Sequence, residues 1–405
     1  MMDIVIACTV MVGLVALGDL VSKWTKALIP SMAVALILYM LLTWAGMPKS
    51  FPDTSGFSAL GDYALLMLVV NIGTSVAPSE YVKNLKSVAV AIAAVVVGLI
   101  FTVGIGGLIF GFNTMLAGAG ACCGGGCISG IATIGQLKEL GLVGLLVVPT
   151  IMICTVDPLG QPIASNILKR YAKKLHDGDE YLNVNDATDA IQSEEVRLTK
   201  HGVPFGSEEN PSTRFTNFIP VSYEEDGVIL FELTVCVLIS VGLEAVTGVN
   251  SFLWAFIVGI IGCEFGILRM NLLDRSHSNG LVMTIIIAYL CTTMNDVTPK
   301  LLLESFGPVI TLVILSALGL GLGAGFMGKI LGYDFILSAA AGVGIMFLYP
   351  GVAIVSTEVS KSYARNEEER NFIYNKIAPP MYIIANVGFL IGLGITVTVL
   401  LPMLK

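Results

Sequence analysis

The stretch LAGAGACCGGGCISGIATI, residues 116–134, decides the fold. It contains six glycines in an apolar setting, and glycine in a helix interior costs about 1 kcal/mol relative to alanine. A lipid-facing helix would not carry so many, because irregular backbone at membrane depth occurs only where protein or a watery cavity covers it. We therefore predict a re-entrant hairpin at about 114–137. Taken alone, such a stretch is also typical of a tight helix–helix contact.

The composition indicates an integral membrane protein. Of the 405 residues, 55% are hydrophobic and 13% charged, whereas soluble domains carry about 25% charged residues. The eight cysteines all lie in apolar segments, which argues against the disulfide framework of a secreted protein. The fold class that we predict is therefore all-α and membrane-embedded.

The apolar runs divide the chain into two membrane units and a connector. We expect a first unit at 1–167, a soluble acidic connector at 168–226, and a second unit at 227–405 with a hairpin at about 335–358. Each unit has five runs of roughly the length that a spanning helix needs. The predicted spans are 3–21, 28–46, 60–77, 88–112, 142–167, 227–247, 251–268, 279–298, 305–328 and 378–402.

The two units also align without gaps. An offset of 221 residues places Pro78 on Pro299 and Gly130 on Gly351. Because five spans is an odd number, the second unit starts on the opposite side, which predicts inverted-topology repeats. The second hairpin holds the turn Tyr349-Pro350-Gly351, where proline removes a backbone donor. We expect the two hairpin tips to enter from opposite sides and to meet near the membrane midplane.

The basic residues predict the orientation. With the N-terminus outside, 18 of the 22 Lys and Arg residues lie on the cytoplasmic side. Under the positive-inside rule, this places both termini outside and the connector in the cytoplasm of a cell whose cytoplasmic (inner) membrane holds the chain.

Three segments resemble the bacterial sodium/glutamate symporter family, in the superfamily of sodium-coupled carboxylate transporters. They are LMLVVNIGTSVAPSEYVKNLK (66–86), the glycine-rich hairpin, and LGYDFILSAAAGVGIMF (331–347). The resemblance implies a homodimer, a fixed scaffold, a transport domain that moves by an elevator mechanism, and sodium as coupling ion. The family's hairpin motif GGHGTG has no counterpart here, because residues 123–130 read CGGGCISG without histidine. The architecture is therefore implied more firmly than glutamate as substrate.

Polar residues inside the membrane are the candidates for sodium binding, because sodium prefers carboxylate, amide, hydroxyl and carbonyl oxygens. One cluster ends the third span and another occupies the equivalent place in the second unit. A further carboxylate precedes Pro158, and Asp296 has the alternative role of a helix cap near the membrane surface. The predicted sodium ligands are Asn71, Thr74, Ser75, Asp157, Asn295 and Asp296.

The hairpins carry no Lys or Arg, so an anionic substrate would be held by glycine N–H groups and helix N-termini. Hydroxyl groups in the hairpins are further candidates, although Ser and Thr often bond their own helix backbone. A metal site at Cys122, Cys123 and Cys127 is disfavoured because no histidine lies nearby. The predicted substrate-binding residues are Gly124, Gly125, Gly126, Cys127, Ser129, Thr133, Tyr349, Gly351, Ser356 and Thr357.

The leading functional hypothesis is a sodium-coupled symporter of a small carboxylate or amino acid such as glutamate. A proton-coupled carrier or exporter on the same scaffold is the alternative, and a membrane sensor with the acidic connector as its output is a rival from another class. No nucleotide-binding fingerprint or nucleophile–base pair appears, so we expect neither an enzyme nor an organic cofactor. The only long soluble segment is acidic, which excludes nucleic acid as an expected partner.

Overall fold

The computed structural model describes residues 2–24, 31–74, 84–177, 225–295 and 297–401. This described part is 86% helical and contains no strand. Five of its helices are long and apolar enough to cross a membrane. A sixth candidate span joins Val147–Ile153 to Thr155–Asp177 with a bend of 50°. The structure thus confirms the prediction of an all-helical protein with several helices that could span a membrane.

We number the helices in chain order. The first unit contains α1 (Met2–Trp24), α2 (Ser31–Trp44), α3 (Phe51–Thr54), α4 (Gly61–Gly73), α5 (Leu85–Leu99), α6 (Gly106–Phe110), α7 (Phe112–Cys123), α8 (Cys127–Glu139) and α9 (Val147–Asp177). The second contains α10 (Asp226–Thr247), α11 (Ser251–Glu264), α12 (Leu272–Arg275), α13 (Asn279–Met294), α14 (Pro299–Ile330), α15 (Phe335–Gly344), α16 (Leu348–Tyr363) and α17 (Glu367–Leu393). A π-helical segment, Ile100–Ile105, joins α5 to α6, and another, Gly394–Leu400, extends α17.

Helix α9 continues ten residues beyond the predicted end of its span. Leu168, Ala172 and Leu175 follow one another at helical spacing and are buried, so the helix packs on this face as far as Asp177. The boundary of the connector at residue 168 is therefore wrong, because its first ten residues are helical. Residues 178–224, the rest of the predicted connector, lie outside the described residues.

Helix α17 begins eleven residues before its predicted span. Its N-cap is Asn366, whose side chain accepts a hydrogen bond of 2.7 Å from the backbone N–H of Glu369. Three acidic residues in the first turn, 367–369, add favourable charge near the helix N-terminus. The helix then runs through Pro379 and Pro380.

The helices form two bundles, and each bundle takes helices from both units. The first bundle consists of α1–α4 and α10–α13, and the second of α5–α9 and α14–α17. The bundles touch where α9 meets α2 and where α11 meets α17. At the second contact, the rings of Phe256 and Phe389 lie 5.7 Å apart between centroids. The element order corresponds in the two units when α5, the π-helical segment and α6 are taken together as the counterpart of α14, and α8 and α16 begin 221 residues apart.

Each unit contains one broken apolar helix in the second bundle. Helices α7 and α8 are separated by 124–126, where Gly125 and Gly126 have φ of +94° and +65°. Only glycine adopts such angles without cost. The two helices fold back on each other, with Gly130 facing Ala121. The second break, 345–347, separates α15 from α16 and is followed by Leu348 with φ of +45°.

Candidate functional site

A cavity of about 310 Å³ lies between the two bundles. Helices α1, α2, α4 and α13 of the first bundle form one wall. The other wall comes from α8, α9, α16 and both helix breaks of the second bundle. Both breaks and an intramembrane carboxylate of α9 therefore reach one space.

The two helix breaks touch each other beside this cavity. A Cβ atom placed on Gly126 would lie 2.7 Å from the carbonyl oxygen of Met346, and one on Gly125 would lie 3.1 Å from Cδ1 of Leu348. The first break thus packs against the second at a distance that no larger residue permits. The structure brings the two tips together, as the sequence predicts.

Asp157 is the carboxylate at this meeting point. It lines the cavity, and its Oδ1 would lie 3.0 Å from a Cβ on Gly126. This oxygen is buried and has no hydrogen-bond partner among the described residues. Burying an unpaired carboxylate is expensive, so the site requires either a proton or a cation at this atom.

Gln161 lies one helical turn after Asp157 and lines the same cavity. Its Nε2 would lie 2.9 Å from a Cβ on Gly351, so the amide packs directly against the start of α16. Our reading of the sequence missed this residue. Its position in the sequence could have indicated it, because Gln161 follows Asp157 by four residues and residues four apart lie on the same face of a helix.

The cavity is acidic at two points and otherwise mostly apolar. Asp157 lies at the breaks, and the exposed Asp19 lies near the end of α1. No Lys, Arg or His occurs among the described residues that line it. Three further polar lining residues, Ser22, Ser31 and Asn279, lie at the end of α1 and at the starts of α2 and α13.

The glycines among the predicted substrate ligands lie at the breaks. Gly125 and Gly351 line the cavity, Gly126 packs against Met346 of the second break, and Gly124 packs against the backbone of Leu393 at the end of α17. The side chains of Cys127 and Tyr349 lie outside what the structure describes. Two of the four predicted glycines therefore lie at the cavity.

The Ser and Thr residues among the predicted substrate ligands are not among the residues that line the cavity. Ser129, Thr133 and Ser356 are fully buried. Ser129 donates to the Gly124 carbonyl, Thr133 donates to the Ser129 carbonyl at 2.7 Å, and Ser356 donates to the Val352 carbonyl at 2.8 Å. They bond their own helix segment, which was the alternative reading. Thr357 is half-buried and is not among the lining residues.

The first predicted sodium cluster has a structural role. Oδ1 of the buried Asn71 accepts a hydrogen bond of 2.9 Å from the backbone N–H of Leu273, at the start of α12. Thr74 donates to the carbonyl of Asn71 at 2.8 Å. These contacts join the end of α4 to the segment before α13. Ser75 lies outside the described residues.

The second predicted cluster lies at the opposite end of the same helix pair. Oδ1 of Asn295 accepts a hydrogen bond of 2.6 Å from the Tyr39 hydroxyl, and its amide donates to the Lys49 carbonyl at 3.1 Å. Gly61, at the start of α4, packs on Tyr289 near the end of α13, so the two helices are antiparallel. Asp296 lies outside the described residues.

The two clusters therefore cannot share one sodium ion. Helix α13 has 16 residues and is about 24 Å long at 1.5 Å per residue, which separates Asn71 from Asn295 by the length of a helix. Within the described ranges, no group of three or more His, Cys, Asp or Glu side chains could hold a metal ion. Asp157 is the predicted sodium ligand that lies at the cavity.

The far end of α9 is fixed to the second broken helix. Nζ of Lys174 lies 2.6 Å from Oδ2 of Asp334, which also caps α15 by accepting from the N–H of Ile336 at 2.8 Å. Partial burial would raise the pKa of Asp334, but the hydrogen bonds from Lys174 and Ile336 outweigh it, so the pKa lies below its usual value. These contacts join the end of α9 to the start of α15.

No protein-family model matches the sequence, and no curated protein matches it either. The likeness to the sodium/glutamate symporters therefore stays a resemblance based on the three segments quoted above. Part of one of them, 75–83, lies outside the described residues.

Proposed function

We propose that the chain is a secondary active transporter that carries a small amino acid or carboxylate across the cytoplasmic membrane, with sodium as coupling ion. The observation that supports this best is the meeting of two helix breaks and a buried, unpartnered carboxylate at one cavity between two bundles. Broken helices present free N–H and C=O groups near the membrane midplane, which is where many transporters bind substrate and ions.

The bundle arrangement supports alternating access. The first bundle holds the leading helices of both units and the second holds the broken helices of both, as expected for inverted repeats that form a scaffold and a transport domain. The cavity reaches the end of α1 and the starts of α2 and α13, the side that the positive-inside rule assigns to the cytoplasm. Movement of the second bundle along the first, as in an elevator, would carry Asp157 and the breaks towards the other side.

A proton-coupled carrier is the second candidate, and Asp157 is the reason. A carboxylate without a partner at membrane depth is readily neutralised by a proton. In that case, protonation of Asp157 would allow the second bundle to pass the apolar wall of the first without carrying a bare charge.

Uptake into liposomes tests the proposal and separates the two coupling ions. Purified protein is reconstituted, and uptake of labelled amino acids and carboxylates is measured under an inward sodium gradient, an inward proton gradient, or neither. Sodium-driven uptake that stops when an ionophore collapses the gradient is the expected result. A response to the proton gradient alone would favour the second candidate. If neither gradient drives uptake of any compound tested, the transport proposal is refuted.

A further inference from the structure

We infer that the cargo carries an ammonium group beside an apolar side chain, as in a leucine-like amino acid or its amine, and that dicarboxylates are poor cargo. The inference rests on the proposed function and narrows its substrate class. It comes from the charge, lining and size of the cavity between the bundles.

The charge of the cavity favours a positive group. Its described lining contains two carboxylates, Asp157 and Asp19, and no Lys, Arg or His. Oδ1 of Asp157 is buried without a hydrogen-bond partner, so an ammonium group can pair with it and supply the hydrogen bond that it lacks. A dicarboxylate would instead bring two negative charges towards a third in a low-dielectric space.

The lining also favours an apolar side chain. Leu65, Leu68, Met283 and Ile286 of the first bundle line one side, and Leu348 follows the break on the other. A volume of about 310 Å³ lies at the lower end of small-molecule pockets. A branched aliphatic or small aromatic group fits such a space and loses its contact with water there.

Gln161 offers a polar group for the carboxylate of a zwitterion. The amide of Gln161 lies one turn from Asp157 on the same face of α9 and can donate a hydrogen bond into the cavity. An amino acid could therefore place its ammonium group on Asp157 and its carboxylate near Gln161. The ammonium contact is the required one, so an amine without a carboxylate should still bind.

A matched set of compounds tests this directly. Leucine, 3-methylbutylamine (leucine without its carboxylate), 4-methylpentanoate (leucine without its ammonium group) and glutarate are each added to the purified full chain, and thermal unfolding is recorded. Leucine and the amine should raise the unfolding temperature at concentrations at least tenfold lower than the two acids. Equal or stronger stabilisation by 4-methylpentanoate or glutarate, or no stabilisation by any of the four, overturns the inference.

Variants identify the side chain that binds the ammonium group. Asp157→Asn should abolish stabilisation by leucine and by the amine, whereas Asp177→Asn, at the exposed end of the same helix, should leave it unchanged. Should Asp157→Asn fail to fold, a hydrophobic carbodiimide on the unaltered protein replaces it. Mass spectrometry should then show that the carbodiimide couples 3-methylbutylamine to Asp157 as an amide, with release of the urea, at amine concentrations that leave Asp177 unmodified. Coupling at Asp177 but not at Asp157 would overturn the inference.

Different results would refute the transport proposal and the ammonium inference. If gradients drive uptake of 4-methylpentanoate or glutarate rather than leucine, the chain is a transporter and only the ammonium inference is wrong. If leucine and the amine bind through Asp157 but no gradient drives uptake, the cavity is correctly described and the transport proposal is wrong.

Discussion

The substitution Gly126→Ala tests whether the contact between the helix breaks is as tight as the structure shows. The new Cβ would lie 2.7 Å from the Met346 carbonyl oxygen and 3.0 Å from Oδ1 of Asp157, and the residue would keep a φ of +65°. A left-handed backbone costs a non-glycine residue about 1–2 kcal/mol and overpacking about 1–3 kcal/mol, so we expect a loss of about 2–5 kcal/mol.

The matched control is Gly135→Ala in the same hairpin. Gly135 lies in α8, is exposed, and has nothing within 4 Å of its Cβ position. Alanine there should leave stability unchanged or raise it by up to about 1 kcal/mol. Thermal unfolding of both variants at one scan rate, together with uptake in liposomes, measures the difference. A Gly126→Ala protein with the stability and uptake of the control would refute the proposed contact of the breaks.

Three further predictions follow from individual side chains. Asp334→Asn should lower the unfolding temperature at neutral pH by removing the charge that pairs with Lys174. Because the pKa of Asp334 is lowered in the fold, its contribution is present above the unfolded value of 3.8 and is lost as the pH falls through the lower folded value. The variant and the parent should therefore converge in acid, and a constant gap down to pH 3 would contradict this. Asn71→Ala should cost about 1–3 kcal/mol by leaving the buried N–H of Leu273 unpaired, while the sodium dependence of uptake persists. Loss of sodium dependence without loss of stability would instead favour the original sodium assignment. Asp157→Asn should abolish stabilisation by leucine, as measured by the unfolding assay above.

The sequence was sufficient to locate both broken helices, the first directly from its glycines and the second approximately from a nearby proline. Consecutive glycines at 124–126 predicted the first break, and the structure gives two of them angles that only glycine readily adopts. Pro350 marked the second break less accurately, since the chain leaves the helix at 345–347, just before it. The apolar runs predicted the ends of most other helices to within a few residues, although only five of the described helices are long and apolar enough to cross a membrane.

The sodium site was not predictable in the same way. The clusters at Asn71 and Asn295 end corresponding helices of the two units, α4 and α13, but these helices are antiparallel, so the clusters lie at opposite ends of the pair. Sequence similarity between the units therefore does not predict the distance between corresponding residues. The end of α9 was missed because Lys169, Arg170, Lys173 and Lys174 dominate the composition of a stretch whose buried face is apolar.

The short passage from α13 to α14 limits how the bundles can move. Met294 ends the last helix of the first bundle and Pro299 begins the next helix in the second, five residues later. A chain extends at most about 3.6 Å per residue, so these two positions remain within about 18 Å in every state. Trp44 donates to the Val297 carbonyl at 3.0 Å and Asn295 bonds to Tyr39, which fixes this corner to the first bundle. Any movement of the second bundle relative to the first must therefore keep Pro299 within this distance of Met294, which limits how far the two bundles can separate at this corner.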